Sequence, residues 1–323
     1  MSFRIGSFNM YKFSFQSNDE MRKDIGKIAQ IIYDQQFGII ALQEVFSELA
    51  FNILLKHLGS HRWAGTWEKP SSFSSLASEG YAYIWDKYKF RLSKAQLDDG
   101  SWREYIPTIY KQYRIDRSLG QRKLIRNPYY ARFEPTNGSY CELRLINTHI
   151  MFARSSAIDD VPDSLGDISM RKNEFKILTQ ALYSSIADKV YKYDNNRPSY
   201  TIILGDYNLN LRQSGAISSA YIDEIIDIED GRYTKRLLTT QTELTTLKMP
   251  PKDPNAQDYN NMTCWANNYD HFTYDLQRFE GVKISVKRLD SVASYCNSDY
   301  KEHRKTISDH VPIIMDINIK DRL

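Results

Sequence analysis

The stretch Thr201-Ile202-Ile203-Leu204-Gly205-Asp206-Tyr207-Asn208 decides how the rest of the chain is read. Its first four residues are β-branched or apolar and stop at a glycine, the pattern of a short strand buried on both faces. Asp206 and Asn208 follow one position apart, so a buried strand ends where polar side chains emerge. In proteins that mix helices and sheets, binding and catalytic groups are placed at such strand ends. Gly-Asp-Tyr-Asn is equally good turn chemistry. The stretch therefore gains weight only if other strand ends carry matching groups.

Four others do. Residues 3–8 read as a strand ending in Asn9, and residues 39–42 as a buried strand ending in Gln43-Glu44. Residues 141–147 alternate as a strand and run into Thr148-His149, while Asp309-His310 precedes a last apolar run over 312–319. Between these, Ile25, Ile28 and Ile32 predict a helix reaching about Phe37, introduced by a capping box at Ser17-x-x-Glu20. Ser47 caps a second helix with Leu49, Ile53, Leu54 and Leu58 inward, and Phe175, Leu178, Leu182 and Ile186 mark a third over 169–190. A short fourth helix is expected at 221–228, and strands at 63–67, 81–85, 271–274 and 282–286. With no repeat, low-complexity run or linker, the reading is one domain over residues 1–323.

Bulk composition excludes several classes. The 41% hydrophobic and 26% charged residues are those of an ordinary globular protein. Cys141, Cys264 and Cys296 are odd in number and far apart, which argues against a disulfide framework or zinc site and for a reducing compartment. The opening residues do not look like a signal peptide and no apolar run is long enough to span a bilayer, so a cytoplasmic protein without stable membrane association is expected. The net charge of +3 announces no partner, but it is unevenly spread. Residues 102–132 carry eight basic residues against two acidic ones, interleaved with Trp102, Tyr105, Tyr110, Tyr113, Tyr129 and Tyr130, leaving the rest of the chain net negative. This basic aromatic elaboration, centred on 102–125, is expected to be a phosphate-contacting surface with aromatic platforms.

Ser-Phe-Asn9, Leu-Gln-Glu44, Asn-Thr-His149, Leu-Gly-Asp206-Tyr-Asn208 and Ser-Asp309-His310, in this order, resemble the motifs of the endonuclease/exonuclease/phosphatase superfamily over nearly the whole chain. The resemblance implies a deoxyribonuclease I-like α+β fold: a four-layered sandwich of two mostly antiparallel sheets flanked by helices. Three features point to the deoxyribonuclease I branch. Glu79 looks like the acidic partner of the first catalytic histidine, His149; Tyr269-Asp270-His271 resembles a Tyr-Asp-Arg motif; and Arg126-Asn-Pro resembles a segment with a DNA-contacting arginine. Asp290, in Arg-Leu-Asp, competes with Asp270 as the partner of His310.

The resemblance implies a Mg²⁺- or Mn²⁺-dependent hydrolase of phosphodiesters, an endonuclease on DNA being the first choice. Glu44, Asn9 and Asp309 would form the metal site, which suits an ion that takes only one or two carboxylates. Asp206 would handle the attacking water, Asn208 and Arg126 would contact the phosphate, and His149–Glu79 and His310–Asp270 would be carboxylate-oriented imidazoles. A phospholipid or inositide phosphodiesterase or phosphatase on the same core is the alternative, and a non-catalytic nucleic-acid-binding relic a third reading.

Overall fold

Two short parallel strand pairs occupy the centres of two otherwise antiparallel sheets, and the carboxyl ends of all four strands meet. The structure, a computed structural model, describes residues 2–14, 23–70, 79–96, 99–111, 124–152, 168–191, 197–211, 227–230, 233–239, 241–250 and 264–319. The expected capping box at 17–20, Arg114, Arg117, Arg122 and Lys123, and most of the region expected as a helix at 221–228 lie outside the described residues.

In chain order the strands are β1 (Ser2–Phe13), β2 (Ile39–Val45), β3 (Trp63–Glu68), β4 (Gly80–Asp86), β5 (Phe90–Leu92), β6 (Lys94–Gln96), β7 (Trp102–Glu104), β8 (Thr108–Ile109), β9 (Tyr129–Pro135), β10 (Glu142–His149), β11 (Ser199–Asp206), β12 (Asp227–Asp230), β13 (Tyr233–Thr239), β14 (Asp270–Asp275), β15 (Val282–Arg288) and β16 (Ile313–Ile319). Helices α1 (Ile25–Asp34) and α2 (Glu48–Leu58) follow β1 and β2. Between β10 and β11, α3 (Ile168–Lys176) continues through a π-helical stretch, Ile177–Tyr183, into α4 (Ser184–Ala187). The short helices α5 (Ser291–Cys296) and α6 (Tyr300–Thr306) precede β16. One sheet has the order β15-β16-β1-β2-β4-β3 and the other β12-β13-β14-β11-β10-β9-β5, with β8 also on β9. Among the described residues only β1–β2 and β10–β11 pair in parallel.

Side chains alternate across a strand, so each central strand supplies two cores. Phe3 and Ile5, Ile39 and Ala41, Leu143 and Leu145, and Ile202 and Leu204 pack between the sheets. The intervening Phe8, Ile40 and Leu42 meet Ile28, Ile32 and Leu54 of the helices on one side. On the other, Ile146 and Ile203 meet Phe175, Leu178 and Leu182. The result is the four-layered sandwich expected. Each such aliphatic side chain, buried fully, stabilises the fold by about 1.5–3 kcal/mol. Two polar residues sit between the sheets: Gln43 donates to Asn147 Oδ1 at 2.7 Å, and Asn147 donates to the carbonyls of Leu42 and Ala82. This amide staple ties β2 to β10 one residue before Glu44 and two before His149.

Several local expectations change. Asp24, accepting from Lys27 N, is the N-cap of α1. Leu49 is 56% exposed because Ala50, Phe51, Leu54 and Leu58 form the inward stripe of α2. Asp227 and Ile228, the end of the expected helix, lie instead in a strand, residues 227–230, that pairs with 233–236. The basic aromatic segment divides where described: residues 102–111 are mostly exposed, whereas 128–132 are buried. Tyr129 and Tyr130 are buried on opposite faces of β9. Arg132 is buried too, with Nε donating to Glu142 at 2.9 Å and its guanidinium 3.5 Å from the Tyr191 ring centroid. Burial of both faces of β9 thus turns Tyr129, Tyr130 and Arg132 into core, and the charges of Arg132 and Arg126 are met by Glu142 and Glu79. Trp102 remains 54% exposed.

Candidate active site

The sequence places the site residues at strand ends because the chain can leave the sheets only there. Backbone conformations are unusual at those points. Glu44 (φ 55°) and Asn208 (φ 51°) both adopt the left-handed region that residues with a Cβ rarely occupy. The registers of β1 with β2 and of β2 with β4 break between Asn9 and Phe13 and between Leu42 and Val45. Gly205 has φ 140°, and a Cβ there would lie 1.9 Å from the Thr148 carbonyl oxygen. Only glycine lets β11 approach β10 closely enough to set Asp206 opposite His149.

All ten expected residues are brought to this end of the molecule. Asp206, almost wholly buried, is the hub: its Oδ2 accepts from Asn9 Nδ2 at 2.9 Å and lies 3.6 Å from both His149 Nε2 and His310 Nε2. Each imidazole has a carboxylate behind it. His149 Nδ1 is 3.3 Å from Glu79 Oε1, and His310 Nδ1 is 2.8 Å from Asp270 Oδ2. Asp290 instead accepts from Ala293 N and caps α5, so Asp270 is the partner of His310. Strand alternation points Asp270 at the site and His271 away from it, where His271 Nε2 lies 2.9 Å from the carbonyls of Leu209 and Asn268. Asn208 directs Nδ2 to the Ile150 carbonyl at 2.8 Å and toward His149 Nε2 at 3.3 Å.

Two expected roles look different in place. Asn9 accepts Tyr11 N at Oδ1 and turns Nδ2 toward Glu44 and Asp206, so it bridges carboxylates instead of offering an oxygen. Arg126 lines the cleft, but its Nε is in an ion pair with Glu79, while Nη1 is buried without a hydrogen-bond partner among the described residues.

Electrostatics follow from burial opposed by charge. Burial pushes Asp206 up to about 6, against the pull of His310 and His149. For His310, burial disfavours the cation, but Asp270 and Asp206 outweigh it and push the imidazole up to about 10. For His149, burial is likewise outweighed by Glu79, with Arg126 opposing, and the pKa rises. Glu79 would rise through burial alone, yet His149 and Arg126 hold it below the usual carboxylate range. His310 is therefore held as imidazolium at neutral pH, and His149 is shifted in the same direction.

These groups line an open cleft of about 870 Å³ whose walls include Lys12, Phe152, Lys248, Asn267, Tyr269 and Arg304. Residues 245–247 form one wall and are zipped to the site: Leu247 N donates to the Asp309 carbonyl, and Thr245 Oγ1 accepts from Asp270 N. The long insertion before Asp270 thus starts and ends at the site. Sequence reading also missed Lys23, Arg304 and Glu174. Burial pushes Lys23 down to about 8 despite nearby Asp309 and Glu44, and Arg304 Nη2 is 3.2 Å from Asp309 Oδ2. Glu174, pushed up to about 7 by burial, accepts from Ile125 N and Met151 N, gripping the segments next to Arg126 and His149. Charged residues on the inward stripe of α3, Arg171 and Glu174, were its available signal; no motif marks Lys23.

No protein-family model matches the sequence, and no curated protein does so significantly. Solved structures do match. An endonuclease/exonuclease/phosphatase family protein from Leptotrichia buccalis is similar with a TM-score of 0.54 at 14% identity, over 98% of this chain and 100% of that one. The fold is that of the endonuclease/exonuclease/phosphatase proteins. The human Nocturnin catalytic domain, with bound sulfate, is similar at a TM-score of 0.54 and 14% identity, over 99% and 94% of the two chains. A mannosyl-6-phosphatase from Bacteroides thetaiotaomicron follows at 0.53 and 11%, over 98% and 100%. At these identities the likeness is one of fold, and it includes the deoxyribonuclease I-like pair of sheets flanked by helices. No helix among the described residues is long and apolar enough to cross a membrane.

Proposed function

We propose that the protein is a divalent-metal-dependent phosphodiesterase acting on nucleic acid, with endonucleolytic cleavage of DNA as the reaction to test first. One observation carries the reading. Two imidazoles, each backed by its own carboxylate, face one buried carboxylate at 3.6 Å in a cleft that also holds Glu44 and Asp309.

Phosphodiester hydrolysis needs a deprotonated water, neutralisation of the phosphate and a proton for the leaving oxygen. Asp206, at about 6, is ionised at neutral pH yet basic enough to take a proton from water as the new P–O bond forms. The His310 imidazolium, with His149 shifted toward its own charged form, would place positive charge on the phosphate, and one of the two would return a proton to the leaving oxygen as the old P–O bond breaks. Asn208 Nδ2, with one proton on the Ile150 carbonyl, would offer its second to a phosphate oxygen. Glu44 and Asp309 suit Mg²⁺ or Mn²⁺: both are hard oxygen donors on the cleft wall, and Asp309 Oδ1 is buried without a hydrogen-bond partner among the described residues. Bound there, the ion would add charge neutralisation and Lewis acidity.

A second reading, hydrolysis of a small phosphoester such as a lipid headgroup, inositide or sugar phosphate, is favoured by the cleft, whose volume lies in the range that encloses a single small ligand. Purified protein incubated with supercoiled plasmid and Mg²⁺ separates the two. Nicking that a chelator abolishes supports the first; an intact plasmid, with phosphate or phosphocholine released from small esters, replaces it with the second.

A further inference from the structure

The wall of the cleft beside Asn208 carries two aromatic rings, Phe152 and Tyr269. Phe152 stands three residues after His149 and two after Ile150, whose carbonyl takes the Asn208 amide, and it is 37% exposed on the cleft surface. An exposed phenyl ring at a cluster of charged groups serves no desolvation purpose, yet this one is held firmly. Arg171 lies behind it, with the guanidinium 4.6 Å from the ring centroid, and Arg171 Nη1 donates to the Asn208 carbonyl at 2.8 Å. Tyr269 lies beside it, the ring centroids 6.3 Å apart at 42°. Tyr269 is itself fixed by its carbonyl, which accepts Tyr207 N, and by its place next to Asp270. One arginine therefore couples the phosphate-facing Asn208 to the orientation of Phe152, and both rings line the cleft.

The geometry points to a nucleobase subsite: Phe152 and Tyr269 form a stacking platform for the base attached to the phosphoester that Asn208, His149 and His310 engage. The inference rests on the phosphodiesterase reading and narrows its substrate to nucleotides. Aromatic rings offer a flat π face that any base can use, and Arg171 against Phe152 holds the ring in place. A sugar phosphate would instead require hydrogen-bonding groups around its hydroxyls at this position, and neither ring meets that need fully.

Binding tests this without depending on turnover. Calorimetric titration of adenosine 5′-monophosphate and ribose 5-phosphate compares the same phosphate with and without a base. Stacking on the platform predicts at least ~10-fold tighter binding of the nucleotide, within the range that loss of one base–aromatic stack produces. Phe152→Ala removes that preference, Phe152→Trp retains it, and ribose 5-phosphate binds all three proteins alike. Phe152→Leu, which keeps bulk without a π face, also loses the preference and guards against a folding defect in the alanine variant. Equal affinity of wild type for the two ligands, binding of neither, or a Phe152→Ala variant that weakens both equally would overturn the platform. Plasmid nicking by the wild type is scored separately: its absence overturns the nuclease reading, whichever way the base preference falls.

Discussion

Asp206 is held in a state that costs the folded protein stability, and the cost has a calculable pH dependence. Burial raises its carboxyl from an ordinary 3.8 to about 6. Below pH 3.8 the group is protonated in both folded and unfolded chains and contributes nothing. Between 3.8 and about 6 the unfolded chain has released its proton and the folded chain has not, so stability falls as pH rises. Above about 6 the whole penalty is present, on the order of 3 kcal/mol for a shift of roughly two pH units. Asp206→Asn removes the titration. Its single oxygen keeps the bond from Asn208 N, but the new amide faces Asn9 Nδ2, a loss of about 1 kcal/mol. The variant is therefore expected to be about 2 kcal/mol more stable than wild type at pH 7.5, with the advantage shrinking toward pH 4. Urea unfolding with chelator present, from pH 4 to 8, measures this. Plasmid nicking by the same variant should fall at least ~100-fold, the scale of losing an acid–base group. A variant less stable than wild type at pH 7.5, or a difference that does not change with pH, would refute the reasoning.

Gly205→Ala forces a Cβ to 1.9 Å from a backbone oxygen, so the ends of β10 and β11 must separate. A loss of about 2–4 kcal/mol in urea unfolding, with nicking at background, is expected; near-normal stability would mean that the close approach is not required. His310→Ala should lower turnover at least ~100-fold with the fold intact by circular dichroism, and near-normal cleavage would remove the proposed mechanism. Arg126→Ala, which removes a positive charge from the cleft wall, should weaken DNA binding and reduce the slope of log affinity against log salt by about one. Because Arg126 also pairs with Glu79, a fall in turnover should accompany it, whereas an unchanged salt slope would leave only the ion pair as its role.

Much of this site is legible in sequence because its chemistry is carried by strand ends. Runs such as Thr201–Leu204 and Ile39–Leu42 are too apolar to be anything but buried, and a buried strand must present its next polar residue at the rim. That local logic places Asn9, Glu44, His149, Asp206, Asn208 and His310 without coordinates. It works less well where burial is decided by a distant partner. Arg132 and Tyr130 look like a contact surface in sequence and become core only because Glu142, ten residues on, and the helix after β10 close over them. Leu49 and the strand at 227–230 were misjudged for a related reason: local periodicity does not say which stripe a neighbour will cover.

By itself the sequence determined the strand ends, their order and the residue types they carry, since burial of an apolar run and emergence of a polar one are local consequences of hydrophobicity. Tertiary structure alone decided who faces whom. Asp270 rather than Asp290 meets His310, Arg126 is bound to Glu79, and Lys23 and Glu174 enter the site from segments with no motif. These pairings join residues tens to hundreds of positions apart, and chain neighbourhood holds no information about them. The close contact of Gly205 with Thr148, which sets Asp206 opposite His149, is where the local rule and the global arrangement coincide.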